Sequence, residues 1–518
     1  MKHSLIAFLA LVFLSSLTLQ AQESALSRAT DNMLYKVEGQ VSTADGQTPL
    51  WLTANRYGLS STDAQNGYLR ASLFSSPGWT PVEPKWKIGY GLDVVIPYNY
   101  TSKAVVQQCY ADVDYRLLRL TVGAKEHPMA FRNNSLSSGS QTLGINARPV
   151  PEVRIGLPEY WNITGKGHWA AIRGHISYGM LTDGRFQRDY VAPGERYARK
   201  ALYHSKAGYL RLGNAEKFPL TFEGGLEMAC MFGGTIYNAL TWDGVSSEPI
   251  HMGTGLKDFV DATLGVGGDS TDSEGYANAT GNTLGSWLFR LDYHGKGWGV
   301  GVYYDHFFED HSQMFFEYGW LDGLWGFDLS LPSNRWVSEV TYEYLTTTYQ
   351  SGPVYHDQTA AVPDQISGVD NYYNHNLYAG WQHWGQAMGN ALYVSPLYNR
   401  NGSFNFTGNR FRAHHIGVSG NPLMSLGYRL LYSHERNLGT YAAPFDKART
   451  SDSFMAELHF APRSIGKWVT AGWQAKVAFA IDRGNLLGNN TGFQFTISKT
   501  GFLPLRSRAR AEDFDKAE

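Results

Sequence analysis

The stretch Leu220-Thr-Phe-Glu-Gly-Gly-Leu-Glu-Met-Ala-Cys-Met-Phe232 decides the fold. Leu220, Phe222, Leu226, Met228, Cys230 and Phe232 fall on one side of an extended chain, and Thr221, Glu223, Gly225 and Glu227 on the other. Successive strand side chains point to opposite faces, whereas a helix repeats every ~3.6 residues and would scatter this set around its circumference. The pattern recurs. Ala170, Ile172, Ile176, Tyr178 and Met180 oppose Ala171, Arg173, His175 and Ser177. Trp287, Phe289, Leu291 and Tyr293 alternate with polar partners, as do Trp473, Ala475, Val477, Phe479 and Ile481. The Gly-containing step at 294–297 reads as a hairpin turn, because Gly supplies the positive φ that tight turns need. Counted this way the chain holds about eighteen strands. In order, the strand at 117–122 is followed by one at 168–181, and a later one covers 378–384.

Composition narrows the class. Of 518 residues, 44 are Lys or Arg and 46 are Asp or Glu, a net charge of −2 that lacks the basic excess of a nucleic-acid binder. Aromatic residues make up 14 %, too many for a disordered chain. Past the first twenty residues no apolar run approaches the ~20 needed for a membrane helix. Cys109 and Cys230 in so long a chain make no disulfide framework. At the N-terminus a basic start, an apolar run from Leu5 to Leu19 and small residues near Ala21 form a secretory signal peptide, with cleavage expected after Ala21. The expected organisation is signal peptide 1–21, one barrel domain 22–501 and a charged, mobile tail 502–518.

Many alternating strands in an exported chain fit a soluble sandwich, propeller or solenoid, or a transmembrane barrel. The barrel is favoured. The apolar faces are about ten residues long, as tilted membrane strands require. Tyr98 and Tyr100, Tyr160-Trp161, Tyr303-Tyr304, Tyr342 and Tyr344, and Tyr372-Tyr373 lie near strand ends, like the aromatic girdles of such barrels. No repeat period supports a propeller. Long polar segments at 132–151, 183–199, 243–285 and 350–374 suit surface loops opposite short turns. The last strand, 492–498, sets Phe493, Phe495 and Ile497 against Gln494, Thr496 and Ser498. Inward faces would carry both charges, among them Arg173, His175, Glu223, Glu227, Arg290, Asp292, Glu339, Glu343 and Lys476, which pair across a lumen and fill it rather than leave a wide pore. The fold class expected is therefore all-β, an antiparallel outer-membrane barrel with long extracellular loops.

Catalytic motifs are absent: there is no G-x-S-x-G, H-E-x-x-H, Walker A or G-x-G-x-x-G. His414 and His415 are adjacent on a strand and point to opposite faces, so they cannot share a metal. The acidic run Asp269 to Glu274 lacks the glycine spacing of a Ca²⁺ loop. No enzyme activity, metal or cofactor is expected.

The segment Gly139-Ser-Gln-Thr-Leu-Gly-Ile-Asn-Ala-Arg-Pro-Val-Pro-Glu-Val-Arg154 resembles the Wzi family of capsule-assembly proteins in its Bacteroidetes form. So do Thr48-Pro-Leu-Trp-Leu-Thr-Ala-Asn-Arg-Tyr-Gly58 and Gly380-Trp-Gln-His-Trp-Gly-Gln-Ala-Met-Gly389. His415-Ile-Gly-Val-Ser-Gly420, Asn437-Leu-Gly-Thr-Tyr441 and the run from Asp482 to Gly492 extend the resemblance over most of the chain. It implies an eighteen-stranded outer-membrane barrel that acts as a lectin, holding capsular polysaccharide at the cell surface. The alternatives are a diffusion porin and, behind it, a barrel hydrolase. Expected partners are a surface polysaccharide and outer-membrane lipid, with no nucleic acid, for a monomeric barrel. Candidate ligand contacts are Asn146, Arg148, Arg154, Arg196, Tyr197, Trp242, Tyr372 and Tyr373. Tyr and Trp rings pack on the C–H faces of sugars, and Asn and Arg bond hydroxyls and carboxylates. The competing reading gives these rings to the membrane interface and pairs Arg148 with an internal carboxylate.

Overall fold

Along the first strand Glu38, Gln40 and Ser42 are only 6, 4 and 6 % exposed, while Val37 and Val41 are 55 and 63 % exposed. The last strand repeats this inversion, with Phe493, Phe495 and Ile497 outside and Gln494, Thr496 and Ser498 buried. Apolar residues outward and polar ones inward is the reverse of a soluble protein, and it suits a sheet whose outer solvent is lipid. The computed structural model describes residues 32–75, 85–241, 244–246, 248–265, 283–309, 314–316, 319–352, 368–465 and 468–504. The expected signal peptide, the tail beyond Pro504, Trp242-Asp243 and the acidic run 269–274 lie outside them.

Eighteen strands close into one antiparallel barrel. They are β1 (Asn32–Asp45), β2 (Gln65–Ser75), β3 (Trp86–Tyr98), β4 (Val105–Tyr115), β5 (Leu118–Ala124) and β6 (Glu152–Asn162). Next come β7 (Ala170–Met180), β8 (Leu202–Leu212), β9 (Leu220–Phe232), β10 (Leu284–Gly295), β11 (Trp298–Glu309) and β12 (Gly323–Ser330). The circuit ends with β13 (Glu339–Thr346), β14 (Phe411–Leu423), β15 (Leu426–Gly439), β16 (Pro444–Phe460), β17 (Trp473–Gly484) and β18 (Asn490–Pro504). Each pairs with its sequence neighbour, and β1 pairs with β18 from Asn32↔Pro504 to Asp45↔Thr491, so no edge is left open. Two-residue turns at 116–117, 296–297 and 424–425 mark one end, where Asn32 and Pro504 also lie. The long connections 46–64, 125–151, 181–201, 233–283 and 347–410 all emerge at the other end.

Two strand expectations fail, and they cancel in the count. Glu152–Asn162 is a strand that the pattern conceals, because Pro158 sits in a register shift between Leu157 and Trp161, where a residue without an N–H is tolerated. The segment 378–384 is not a barrel strand. Tyr378, Trp381, Gln382 and His383 are all 0 % exposed inside the lumen, and only Gln382–His383 pairs, with Gln386–Ala387. The aromatic girdle also needs revision. Trp86, Trp161, Trp298, Trp336 and Trp473 do stand exposed near the short-turn end. Tyr303 instead points inward at 2 % exposure and donates to Glu343 at 2.6 Å, and Tyr372 and Tyr373 belong to no girdle at all.

The long connections do not simply cover the surface. Several fold back into the lumen and build a plug whose centre is Trp51, Tyr372, Tyr373, Tyr378, Trp381, Tyr393 and Phe406, each no more than 2 % exposed. The plug's segments are knitted to one another. Tyr57 and Gly58 donate to the carbonyls of Ile145 and Asn146, Gly144 donates to Met388, and the Trp381 indole donates to Thr142. They are also clamped to the wall by carboxylates. Glu343 on β13 accepts from Ser138 N at 2.7 Å and from the Ser137 hydroxyl, and Glu309 on β11 accepts from Tyr373 N at 2.6 Å. Asp305 on β11 pairs with Arg132 at 2.8 Å and takes the Gln141 N–H, and Asp482 on β17 takes the Leu50 N–H. Buried backbone groups require partners, and these acids supply them.

Arg132 and Asp305 have side chains 1 and 0 % exposed, so removing one partner strands a buried charge. Asp305→Ala should weaken the docking of residues 132–141 by about 3–5 kcal/mol. Amide exchange in that segment should accelerate while the barrel strands stay protected; unchanged exchange there would refute the clamp.

Candidate functional site

At the long-loop end a groove of about 690 Å³ opens between residues 371–376, 399–407 and 440–445. Its wall holds Asn371, Asn374, Asn376, Asn399, Asn401 and Asn405 together with His375, Thr407, Arg196 and Arg449. Among the described residues no Asp or Glu lines it. Part of this set is scaffold. The Asn374 amide imitates backbone, donating to Phe406 O at 2.9 Å and accepting from Phe406 N at 2.8 Å. Asn371 Oδ1 accepts from both Asn374 and Asn409. Asn376, Asn401, Asn405 and Thr407 are exposed on the groove.

Arg196 ties the two rims, with Nη1 on the Asn376 carbonyl at 3.0 Å and Nη2 on Asn405 Oδ1 at 2.7 Å. Arg449, exposed on β16, lies 4.0 Å over the Phe445 ring. His375 Nδ1 accepts the N–H groups of Leu377 and Tyr378, which leaves the ring proton on Nε2. Burial, with Arg196 nearby, pushes its pKa down to about 3. The groove therefore offers amides, a hydroxyl and guanidinium donors, with two positive charges and no lining acid.

Of the candidate contacts named above that the structure describes, only Arg196 lines this groove; Asn374, next to the Tyr372-Tyr373 pair, lines it too. Tyr372 and Tyr373 are 0 % exposed in the plug, where Tyr373 stacks on Tyr393 at 3.9 Å and donates to the Gln141 carbonyl, so neither ring presents a face to a ligand. Asn146 is locked inside the plug, accepting from Asn55 N and donating to Ala387 O. Among the described residues no carboxylate lies at ion-pair distance from Arg148; Ser102 and Thr101 accept from it, and its guanidinium lies 4.4 Å over Trp384. Burial pushes its pKa down to about 10. Arg154 faces the lumen beside Glu152 and His175. Tyr197 stacks on Tyr237 at 4.6 Å and 3°, away from the groove lining. The groove residues that sequence reading missed had a signal: Asn399, Asn401 and Asn405 crowd one stretch of the loop, 399–405.

The lumen holds Ser–His pairs. His175 Nε2 lies 3.1 Å from the Ser205 hydroxyl, but Arg154 donates to Nδ1. The ring proton then sits on Nε2, the reverse of what a general base needs. Ser433 and His415 are sealed at 2 and 1 % exposure beneath Leu136. His414, on the outer face, packs against Tyr342 and Tyr344, so the two adjacent histidines do face opposite ways.

No protein-family model matches the chain, and no curated protein matches it. Among solved structures it is similar to Wzi of Escherichia coli, described as an outer membrane protein involved in group 1 capsule assembly and a carbohydrate-binding β-barrel. Identity is 14 %, the TM-score is 0.54, and the alignment covers 93 % of this chain and 86 % of that one. The outer membrane protein OprD of Pseudomonas aeruginosa aligns at 10 % identity and TM-score 0.43, covering 91 and 94 %. OccK5 of the same organism aligns at 8 % and 0.42, covering 92 and 99 %. The chain has the fold of an outer-membrane β-barrel. In outer-membrane barrels the short turns lie on the periplasmic side, an orientation that would turn the Asn-lined groove to the cell exterior.

The neutral form of His375 holds the loop that carries the groove. Its pKa lies below the ordinary 6.5, so the folded state binds fewer protons than the unfolded state between those values. Loop stability is then constant above about pH 6.5 and falls as pH drops toward 3. Ring NMR should show a titration midpoint near 3; a midpoint near 6.5 would contradict the buried, neutral ring.

Proposed function

We propose that this barrel binds an acidic surface polysaccharide at the cell exterior, and neither conducts nor catalyses. The observation that carries the reading is the outward groove whose rims Arg196 joins. It is rich in amide donors and acceptors, bears Arg449, has no acid among the described lining residues, and sits on a plugged mouth. Asn side chains offer paired donor and acceptor groups that match vicinal hydroxyls, and guanidinium groups bond carboxylates bidentately. Wzi, described as a carbohydrate-binding barrel, shares the fold, which supports the reading without carrying it.

The porin alternative finds less support. The lumen's upper half is occupied by fully buried aromatic side chains, and several charged wall residues pair with plug groups or with each other, as Asp305 does with Arg132 and Arg290 with Asp292 and Asp328. The hydrolase alternative finds the Ser205–His175 proton misplaced. Lipid contacts the exposed apolar belt, and one barrel suffices for the groove.

Polygalacturonate serves as an acidic probe and dextran as a neutral one. The double variant Arg196→Gln/Arg449→Gln should bind polygalacturonate about tenfold or more weakly, the loss of two charge-assisted contacts, while keeping native heat-modifiable migration on gels. Deleting the gene should release surface glycan from cells to the medium. Full retention of cell-bound glycan in the deletion strain would overturn the reading.

A further inference from the structure

Beneath the plug the lumen is open. Two cavities of about 260 and 680 Å³ meet at Glu159 and Arg173 on the periplasmic side of the plug. The larger falls within the ~300–1,000 Å³ of small-molecule sites. Arg119, Lys125, Arg154, Arg173, Arg211 and Arg290 line them. Five of these cations have an acid. Arg119 pairs with Asp114 at 2.6 Å, Lys125 with Asp112, Arg154 with Glu152 at 3.2 Å, Arg211 with Glu223 at 2.8 Å, and Arg290 with Asp328 at 2.6 Å.

Arg173 does not. Among the described residues no carboxylate lies within ion-pair distance of it, and its buried Nε has no acceptor. Its guanidinium instead sits between the rings of Tyr160 and Tyr209, at 4.9 and 4.6 Å. Aromatic faces offset part of the cost of desolvating a cation, but they leave its planar donor edge unused. That edge matches a carboxylate.

We propose that this vestibule is a second binding site, anchored by Arg173, for the carboxylate of an acidic saccharide that enters from the periplasm. The plug separates it from the outer groove, and it does not rest on the function proposed for that groove. Tyr160, flanked by Arg173 at 4.9 Å and Arg211 at 3.7 Å, walls the anchor, and Ser330 lines the same cavity as a partner for a hydroxyl. An acidic peptide is a poorer fit, because a closed barrel presents no free strand edge for it to extend.

Calorimetry on the full protein in detergent tests this, in the Arg196→Gln/Arg449→Gln background so that the outer groove is weakened. The probes are trigalacturonate, maltotriose and inorganic phosphate. Trigalacturonate should bind, maltotriose should not, and phosphate should bind about tenfold or more weakly than trigalacturonate. Adding Arg173→Gln should cut trigalacturonate affinity about tenfold or more, and Arg173→Lys, which keeps the charge but loses the planar fork, should cut it by less. No trigalacturonate binding in the background protein would overturn the proposal. So would unchanged affinity in either Arg173 variant with native heat-modifiable migration, or phosphate binding as tightly as the sugar. Binding lost only through Arg196 and Arg449 would uphold the outer groove and sink the vestibule.

Discussion

Acidic side chains on the inner wall fix the interior of this barrel by accepting hydrogen bonds from chain that has folded inside it. Glu343 holds Ser137 and Ser138, Asp305 holds Arg132 and Gln141, Glu309 holds Tyr373 and Asp482 holds Leu50. A loop entering a lumen brings backbone N–H groups away from water, and each needs an acceptor. The wall carboxylates would in turn be costly if left unpaired. Each side therefore satisfies the other. The aromatic centre from Trp51 to Phe406 then packs inside a ring of polar contacts, a core within a protein whose outer surface is also apolar.

The barrel was legible because a strand advertises its two faces locally. Phe493 and Gln494 announce outside and inside from adjacent positions, with no knowledge of the rest of the chain. Glu152–Asn162 escaped because Pro158 and the following bulge break that rhythm. The run at 378–384 misled for the opposite reason: its Tyr and Trp positions look like a strand face but are buried on all sides. The plug was illegible because its contacts are distant in sequence. Ser137 and Glu343 lie 206 residues apart, and nothing near either announces the other. The same distance hid the site. Tyr372 and Tyr373 have the composition of a sugar platform, yet burial makes them the floor beneath Asn374 and Asn376 rather than the groove itself.

The three stretches at 48–58, 139–154 and 380–389 are segments that meet in the plug. Asn55 reaches Asn146, Gly144 reaches Met388 and Asn146 reaches Ala387. Mutual hydrogen bonding restricts what each of them can be, whereas a lipid-facing strand needs only to stay apolar on one side. The exposed rim residues Asn401, Asn405 and Arg449 are under no such packing constraint.

Closure of the lumen by this plug is the central claim, and conductance measures it directly. The purified barrel in a planar lipid bilayer should give no stable open-channel steps at moderate voltage, in the same chamber where a general porin conducts. Long-lived, uniform single-channel currents from the native protein would contradict the account, because Tyr373, Trp381 and Tyr393 could not then occupy the positions they hold here.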